Sequence, residues 1–207
     1  EVIKTAEDFL KIQNNETAEN YILLNDIELV NYKPFDTTMI ASLDGNGYTI
    51  NITSFDTDGT GTLQRALFRN VVDYTTLKNL RVNYYLGGER DIDVSSTNGY
   101  SVVQIAGFAI NNNGTITNCH VMSSPYQSDY RQKTSQVSGF NVRLTKFGEE
   151  FILNADSQVE IAGFTISNLG VITNSTVGGK EYVLINETQT TTATARTIAL
   201  KKFSIVG

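Results

Sequence analysis

The chain has 207 residues and a formal net charge of −6, from 16 Lys and Arg against 22 Asp and Glu. Lys201-Lys202 is its one lysine pair, which argues against a nucleic-acid partner. A hydrophobic content of 40% excludes a disordered chain. No apolar run approaches the roughly 20 residues that span a bilayer, so we expect no membrane insertion. The sequence begins at Glu1 without Met or a signal peptide, so we expect a mature fragment or an excised domain.

The first predicted element is a short α-helix. Thr5 and Asp8 have the spacing of a capping box at its start. Phe9, Leu10 and Ile12 then form an apolar stripe, and asparagines follow that end the helix. We expect this helix to cover the open end of a stacked core.

Short strands and tight corners come next. Residues 21–29 have the pattern of a strand, a corner and a second strand. The run Asp44-Gly45-Asn46-Gly47 is typical of a tight turn, because Gly and Asn tolerate positive φ. Beyond it, Tyr48, Ile50 and Ile52 recur at every second position, which places them on one face of a strand.

The loop that contains Asp56 and Asp58 is the one candidate metal site. Its sequence, Asp-Thr-Asp-Gly, resembles the start of a calcium loop, although the later ligands and the closing Glu are missing. The alternative is a polar turn between strands. Calcium is the only cofactor that the sequence suggests.

One stretch of the chain occurs twice without a gap. Residues 105–121 and 161–177 share Ile-Ala-Gly-Phe, a turn that ends in Gly, Ile-Thr-Asn and a final Val, all in register. A weaker copy covers 77–82, and 66–68 match Ala-Gly-Phe once one residue is inserted. Such self-similarity indicates stacked structural units.

The three copies also agree on which side chains face inward. After the shared asparagines Asn79, Asn118 and Asn174, small or apolar residues alternate with polar ones. The predicted inward positions are Leu80, Cys119, Ser175, Val82, Val121 and Val177, and the predicted outward row is Arg81, His120 and Thr176. We expect the asparagines to stack as a ladder of paired amides. We also expect Phe108 and Phe164 to be buried.

Two longer excursions, 84–100 and 122–136, separate the copies. Exposed tyrosines on loops make good contacts with glycans and proteins. The candidate ligand-binding residues are therefore the tyrosines of these loops, Tyr84, Tyr85, Tyr100, Tyr126 and Tyr130. The alternative is that they fold back onto the core. Residues 137–142 resemble the Ile-Ala-Gly-Phe strand and predict a further layer between the two best copies.

Short strands, tight corners and stacking of like residues predict an all-β fold. The specific expectation is a parallel β-helix, a solenoid, with a short N-terminal capping α-helix. The alternative is a β-sandwich with two similar hairpins. We expect a single domain over 1–207, in which 1–20 form the N-terminal cap, 21–186 the coils and 187–207 the closing strands.

The order of several segments over residues 1–82 resembles a family of exported Gram-positive proteins. The segments EDF, YILLNDIEL, LDGNGYTINI, ALF and LKNLRV resemble the β-helical N-terminal region of streptococcal-type IgA1-protease and zinc-metalloprotease precursors. Motifs similar to the GLUG repeats of bacterial adhesins recur near 107–121 and 163–177. The resemblance implies a right-handed parallel β-helix on a secreted or cell-wall-associated protein. The metalloprotease motif HExxH is absent and His120 is the only histidine, so this sequence does not carry the catalysis of such relatives.

Candidate catalytic groups are few. Cys119 and His120 are neighbours on a predicted strand and point to opposite faces, which argues against a nucleophilic pair. Asp91 and Asp93 could share a face and flank a glycosidic bond. A polysaccharide lyase or glycosidase therefore stays an alternative.

The sequence and the resemblance together favour a non-catalytic β-helix module of an exported bacterial surface protein. We expect an adhesion or spacer role, with a host protein or glycan bound through the loops and no catalytic residues. The main alternative is an accessory substrate-recognition domain of a secreted metalloprotease. We expect an extracellular, monomeric domain of a larger chain.

Overall fold

The computed structural model describes residues 1–56, 61–84, 91–94, 100–121, 141–145, 158–177, 183–186 and 202–206. Strands in parallel sheets account for most of the regular structure, with one short α-helix among the described residues. The predicted all-β class is therefore confirmed.

The α-helix α1 (Ala6–Lys11) begins with the predicted capping box. The Asp8 amide donates to Thr5 Oγ1 at 3.1 Å, and the Thr5 amide donates to Asp8 Oδ2 at 3.0 Å. A 3₁₀-helix (Ile12–Asn14) continues it, and a second one covers Thr37–Met39. Phe9 is buried, with its ring centroid 5.3 Å from that of Phe35 and 6.0 Å from that of Phe68. The helix thus anchors itself in an aromatic cluster of the core.

The strands are short, and most have three to five residues. In chain order they begin with β1 (Val2–Ile3), β2 (Glu19–Leu23), β3 (Ile27–Leu29), β4 (Ile40–Asp44), β5 (Thr49–Ile52), β6 (Gly61–Arg65), β7 (Phe68–Val71), β8 (Thr76–Lys78), β9 (Arg81–Tyr84) and β10 (Asp91–Val94). They continue with β11 (Tyr100–Ala106), β12 (Ala109–Asn112), β13 (Thr115–Thr117), β14 (His120–Val121), β15 (Asn141–Thr145), β16 (Gln158–Ala162), β17 (Thr165–Asn168), β18 (Val171–Thr173), β19 (Thr176–Val177), β20 (Val183–Asn186) and β21 (Lys202–Val206).

The described strands form five sheets in which neighbours run parallel. Sheet I has the order β1-β2-β4-β8-β13-β18, sheet II β3-β5-β9-β14-β19, sheet III β6-β11-β16-β21, sheet IV β7-β12-β17 and sheet V β10-β15-β20. From β2 onwards, consecutive described strands belong to different sheets. Three segments of the chain, 61–84, 100–121 and 158–177, each contribute one strand to sheets III, IV, I and II in that order. We call each of these segments a passage.

The repeated segments lie side by side in the predicted register. Ile116 pairs with Leu77 on one side and with Ile172 on the other, and His120 pairs likewise with Arg81 and Thr176. The two best copies are therefore direct neighbours.

The predicted layer between the two best copies is wrong. In sheet III, β11 pairs directly with β16, with Ile105 opposite Ile161. Of the segment 137–142, residues 137–140 lie outside the described residues. Asn141–Thr145 forms β15, which pairs with β10 and β20 in sheet V.

The core lies between the sheets, and the predicted faces of the corner segments hold. Leu80, Val82, Cys119 and Val121 are buried, whereas their counterparts Ser175 and Val177 are half-buried. In the outward row, Arg81 and Thr176 are exposed and His120 is half-buried. Phe108 is fully buried as predicted, but Phe164 is only half-buried.

Candidate functional site

Each passage turns from sheet I into sheet II at an asparagine in the left-handed conformation. Asn79 has φ 54°, Asn118 φ 51° and Asn174 φ 49°. Each follows the last residue of β8, β13 or β18, so the chain makes a left-handed corner after each of these strands. Asparagine suits it because its short polar side chain tolerates positive φ better than most residues do.

The corner asparagines form part of the predicted amide ladder. Asn118 Nδ2 donates to Asn79 Oδ1 at 2.8 Å, and Asn79 Nδ2 donates to Asp44 Oδ1 at 3.0 Å. The ladder thus ends on a carboxylate that the repeat alone does not indicate. At Asn174 the structure gives the corner backbone but no amide bond to Asn118 within the described residues.

The Asp44 carboxylate at the end of the ladder is well satisfied. It also accepts the Asn46 amide at 2.8 Å and lies 3.2 Å from Lys78 Nζ. Partial burial alone raises the pKa of Asp44, but the hydrogen bonds from Asn79, Asn46 and Lys78 outweigh it and lower the pKa below its usual value. Asp44 is therefore ionised near neutral pH, and its charge is offset by Lys78.

The outward row next to the ladder is held by hydrogen bonds of His120. Its Nδ1 lies 2.8 Å from Thr176 Oγ1, and its Nε2 lies 3.0 Å from Asn118 Oδ1. A carbonyl oxygen can only accept a hydrogen bond, so Nε2 carries a proton and donates a hydrogen bond to Asn118 Oδ1. Both ring nitrogens are engaged, which fixes the plane of the imidazole.

Ladder and row enclose a shallow concavity of about 240 Å³, which we call the corner groove. Its lining residues are Asn46, Gly47, Asn79, Arg81, Asn118 and His120. Arg81 makes no ion pair within the described part of the chain. Gly47 has φ 79°, and a Cβ placed there would meet no atom within 4 Å, so the groove is open at this side. The corner groove therefore presents a free guanidinium among amides.

A second concavity of about 700 Å³ lies beside α1, and we call it the cap pocket. It is lined by Ala6, Leu10, Gln13, Glu28, Leu29, Val30, Asn31, Tyr32, Lys33, Pro34, Phe35 and Arg69. The Arg69 guanidinium is occupied by Asp36, with Nε to Oδ1 at 2.8 Å. Leu10 and Val30 are exposed, so Leu10 departs from the predicted buried stripe.

Tyr84 is not a surface residue, which corrects its assignment as a ligand contact. It ends β9 and is 3% exposed, with its hydroxyl donating to the Gly107 carbonyl at 2.6 Å. Burial raises its pKa well above the ordinary value of a tyrosine. Leu80, Val82 and Tyr84 share one parity, so the alternation of the strand carries the signal for this burial.

The other predicted ligand contacts are only partly described. Tyr100 begins β11, opposite Gly61 of β6. Tyr85, Tyr126 and Tyr130 lie outside the described residues. Their role in binding stays a prediction.

The predicted metal and carboxylate sites are likewise only partly described. Asp56 is half-buried and its amide donates to the Tyr32 carbonyl, whereas Asp58 lies outside the described residues. Among the residues that the structure describes, no three His, Cys, Asp or Glu side chains gather to hold a metal ion. Asp91 and Asp93 lie in β10, in register with Asn141 and Arg143.

Cys119 has the environment of a core residue. It is fully buried, and its thiol donates to the Thr117 carbonyl at 3.4 Å. Burial raises the pKa of the thiol to about 11. Because His120 points to the other face, where Thr176 and Asn118 hold it, the two side chains do not meet.

No described helix has both the length and the apolar character to cross a membrane. The chain matches no protein-family model, no curated protein and no solved structure. The corner groove therefore has to be interpreted from its own chemistry.

The sequence indicates the outward row of the groove but does not indicate that Asn46 and Gly47 belong to the same site. The turn that carries these two residues precedes the first repeat copy.

Proposed function

We propose that the chain folds as a right-handed parallel β-helix and acts as a non-catalytic binding module of an exported bacterial surface protein. The observation that carries the proposal is the return of the chain to the same sheets in the same order, with like residues in register. Leu77, Ile116 and Ile172 stack in sheet I, and Val82, Val121 and Val177 stack in sheet II. Such stacking is how a solenoid covers the core of each turn with the next turn.

Side-chain ladders outside the corner add support. Gln64 Nε2 donates to Gln104 Oε1, and Gln104 Nε2 donates to Glu160 Oε2, each at 2.7 Å. Asn111 Nδ2 donates to Asn70 Oδ1, also at 2.7 Å. Ladders of this kind require like positions to lie one strand spacing apart over several layers.

The geometry favours binding over turnover. Catalysis needs acid, base and charge-stabilising groups that converge on one point. His120, which lines the corner groove, is engaged by Thr176 and Asn118. Asp44, at the end of the ladder, is engaged by Lys78 and Asn79. Positioned donors on a rigid surface instead suit recognition of a ligand. The loop tyrosines other than the buried Tyr84 stay candidate contacts for that ligand.

The exported, cell-surface setting rests on the resemblance of residues 1–82 to streptococcal-type precursors. An accessory substrate-recognition domain of a secreted metalloprotease would use the same binding surface. The sequence that flanks residues 1 and 207 separates the two: an HExxH domain identifies the accessory domain, and a wall-sorting signal or further repeats identify the adhesin.

The proposal is tested by measuring binding and turnover on the same material. Purified protein is incubated with pectin, mucin and host-cell surfaces, with and without calcium, and both retained protein and released sugar products are measured. We expect retention without new reducing ends or unsaturated products. Turnover that Asp91→Asn or Asp93→Asn abolishes, with the unfolding curve unchanged, would establish a polysaccharide-degrading enzyme instead.

A further inference from the structure

We propose that the corner groove binds a carboxylate-bearing sugar, whose carboxylate lies against the guanidinium of Arg81. This inference rests on the proposed binding function and adds a place and a ligand class to it. The ligand is a sugar ring that carries one carboxylate beside its hydroxyls, as in hexuronates and sialylated glycans.

The charges around the groove favour an anion. In the outward row, Arg81 lies between Thr49 and His120, and neither is acidic. Asp44, the nearest carboxylate of the ladder, is occupied by Lys78 and Asn79. Ile27 pairs with Ile50, so Asp26 lies on the side of Thr49 away from Arg81. The Asp26 carboxylate accepts the Thr49 amide at 2.7 Å. The guanidinium therefore has no internal anion within the described residues, and its planar fork matches a carboxylate.

The hydrogen-bonding groups of the groove are mostly donors. The amides of Asn79 and Asn118 each have two N–H groups, and each uses one of them in the ladder. Their carbonyl oxygens are taken, because Asn79 Oδ1 accepts from Asn118 and Asn118 Oδ1 accepts from His120. With Arg81, the groove offers several free N–H donors and few free acceptors. A ligand rich in acceptor oxygens, with one negative charge, complements this set.

The shape of the groove favours a small ring over a peptide. Its volume of about 240 Å³ lies below the roughly 300–1,000 Å³ that is usual for drug-sized ligands. The absence of a side chain at Gly47 leaves one edge open, so a ring that belongs to a longer glycan can enter without its neighbours being buried. Asn79, Asn118 and Arg81 line the same groove, so the second N–H groups of the two amides can bind the hydroxyls that flank a sugar carboxylate. An acidic peptide side chain lacks such hydroxyls.

The test compares one acidic oligosaccharide with its neutral counterpart. Binding of a glucuronate-containing oligosaccharide, of the same oligosaccharide with its carboxyls reduced to alcohols, and of poly-glutamate is measured by calorimetry. The variant Arg81→Gln removes the guanidinium. The control is Lys4→Gln, which makes the same change of charge at an exposed position outside the groove.

We expect the acidic oligosaccharide to bind, and Arg81→Gln to weaken it about tenfold or more, as for a lost hydrogen bond to a charged group. Lys4→Gln should leave the affinity unchanged, and the reduced oligosaccharide and poly-glutamate should bind at least tenfold more weakly than the acidic one. Equal binding of poly-glutamate, or unchanged affinity in Arg81→Gln, would overturn the inference. If the acidic sugar does not bind while the protein is still retained on cell surfaces, this inference fails and the proposed function stands. Released sugar products would instead overturn the proposed function.

Discussion

Phe108 and Phe164 stack face to face, with ring centroids 4.8 Å apart and ring planes within 2° of parallel. They occupy the same position in the two best repeat copies. The centroid separation equals the spacing of adjacent strands, about 4.8 Å. The rings therefore stack because their backbones lie in register, so they report on the packing of one passage against the next.

Phe108→Ala should lower the free energy of unfolding by about 3–5 kcal/mol, the usual cost of truncating a core aromatic. Phe164→Ala should cost less, because Phe164 is half-buried whereas Phe108 is fully buried. Urea denaturation of both variants measures the two losses. A larger loss for Phe164→Ala than for Phe108→Ala would contradict the described packing.

Asn79 offers a test of the corner backbone. Alanine is normally more stable than glycine at a folded position, because glycine loses more backbone entropy. At φ 54° the order should reverse, since a Cβ is strained in the left-handed region. We expect Asn79→Gly to be more stable than Asn79→Ala by about 1 kcal/mol. Both variants lose the amide bonds to Asp44 and Asn118, so the difference isolates the backbone, and a more stable alanine variant would argue against a left-handed corner.

Cys119 should react slowly with a thiol reagent in the native protein and rapidly once the protein is unfolded. Its side chain is fully buried, and burial raises the pKa of its thiol to about 11, so the reactive thiolate is scarce. Labelling with an aromatic disulfide reagent, with and without urea, measures both rates. Since Cys119 is the only thiol, the signal is unambiguous. Prompt labelling of the native state would place Cys119 on the surface and reverse the assigned faces of the corner.

Much of the corner can be predicted from the sequence because each passage repeats it. The parity of Cys119 and His120 follows from their counterparts in the other copies, and the structure confirms it. The glycines of the repeat also have a physical reason. A Cβ at Gly107 would lie 1.9 Å from the carbonyl oxygen of Gly163, so two backbones meet there.

Other features depend on contacts that no local pattern records. The 137–142 segment has the composition of a repeat strand, yet Asn141–Thr145 pairs in sheet V, because strand composition does not specify which sheet a strand joins. Tyr84 follows the inward parity of Val82, but its position at the start of a long insertion favours a loop. The link from Asn79 to Asp44 joins a repeat residue to one outside the repeat, so self-similarity cannot predict it.

Asp44 should make stability depend on pH in the acid range. Its folded-state pKa lies below the unfolded value of about 3.9, so its stabilising contribution is complete above that value and is lost as pH falls through the folded pKa. The difference in unfolding free energy between the wild type and Asp44→Asn should therefore shrink as pH falls below about 4. The other carboxylates are the same in both proteins, so their contributions to the pH dependence cancel in the difference. If the difference in unfolding free energy stayed constant from neutral pH to pH 3, it would contradict the hydrogen bond from Asn79 to an ionised Asp44.

Stacking of successive passages in one register underlies the proposed β-helix and the corner groove, and disulfide mapping tests it most directly. Arg81 and His120 are paired on adjacent parallel strands, where the roughly 4.8 Å strand spacing lies within the range that a disulfide can bridge. Arg81→Cys with His120→Cys, in a Cys119→Ser background, should cross-link on mild oxidation and shift in a non-reducing gel. Arg81→Cys with the native Cys119 should not cross-link, because Cys119 faces the core. Cross-linking of Arg81→Cys to Cys119, with none in the paired variant, would mean a register slipped by one residue and would contradict the stacked arrangement.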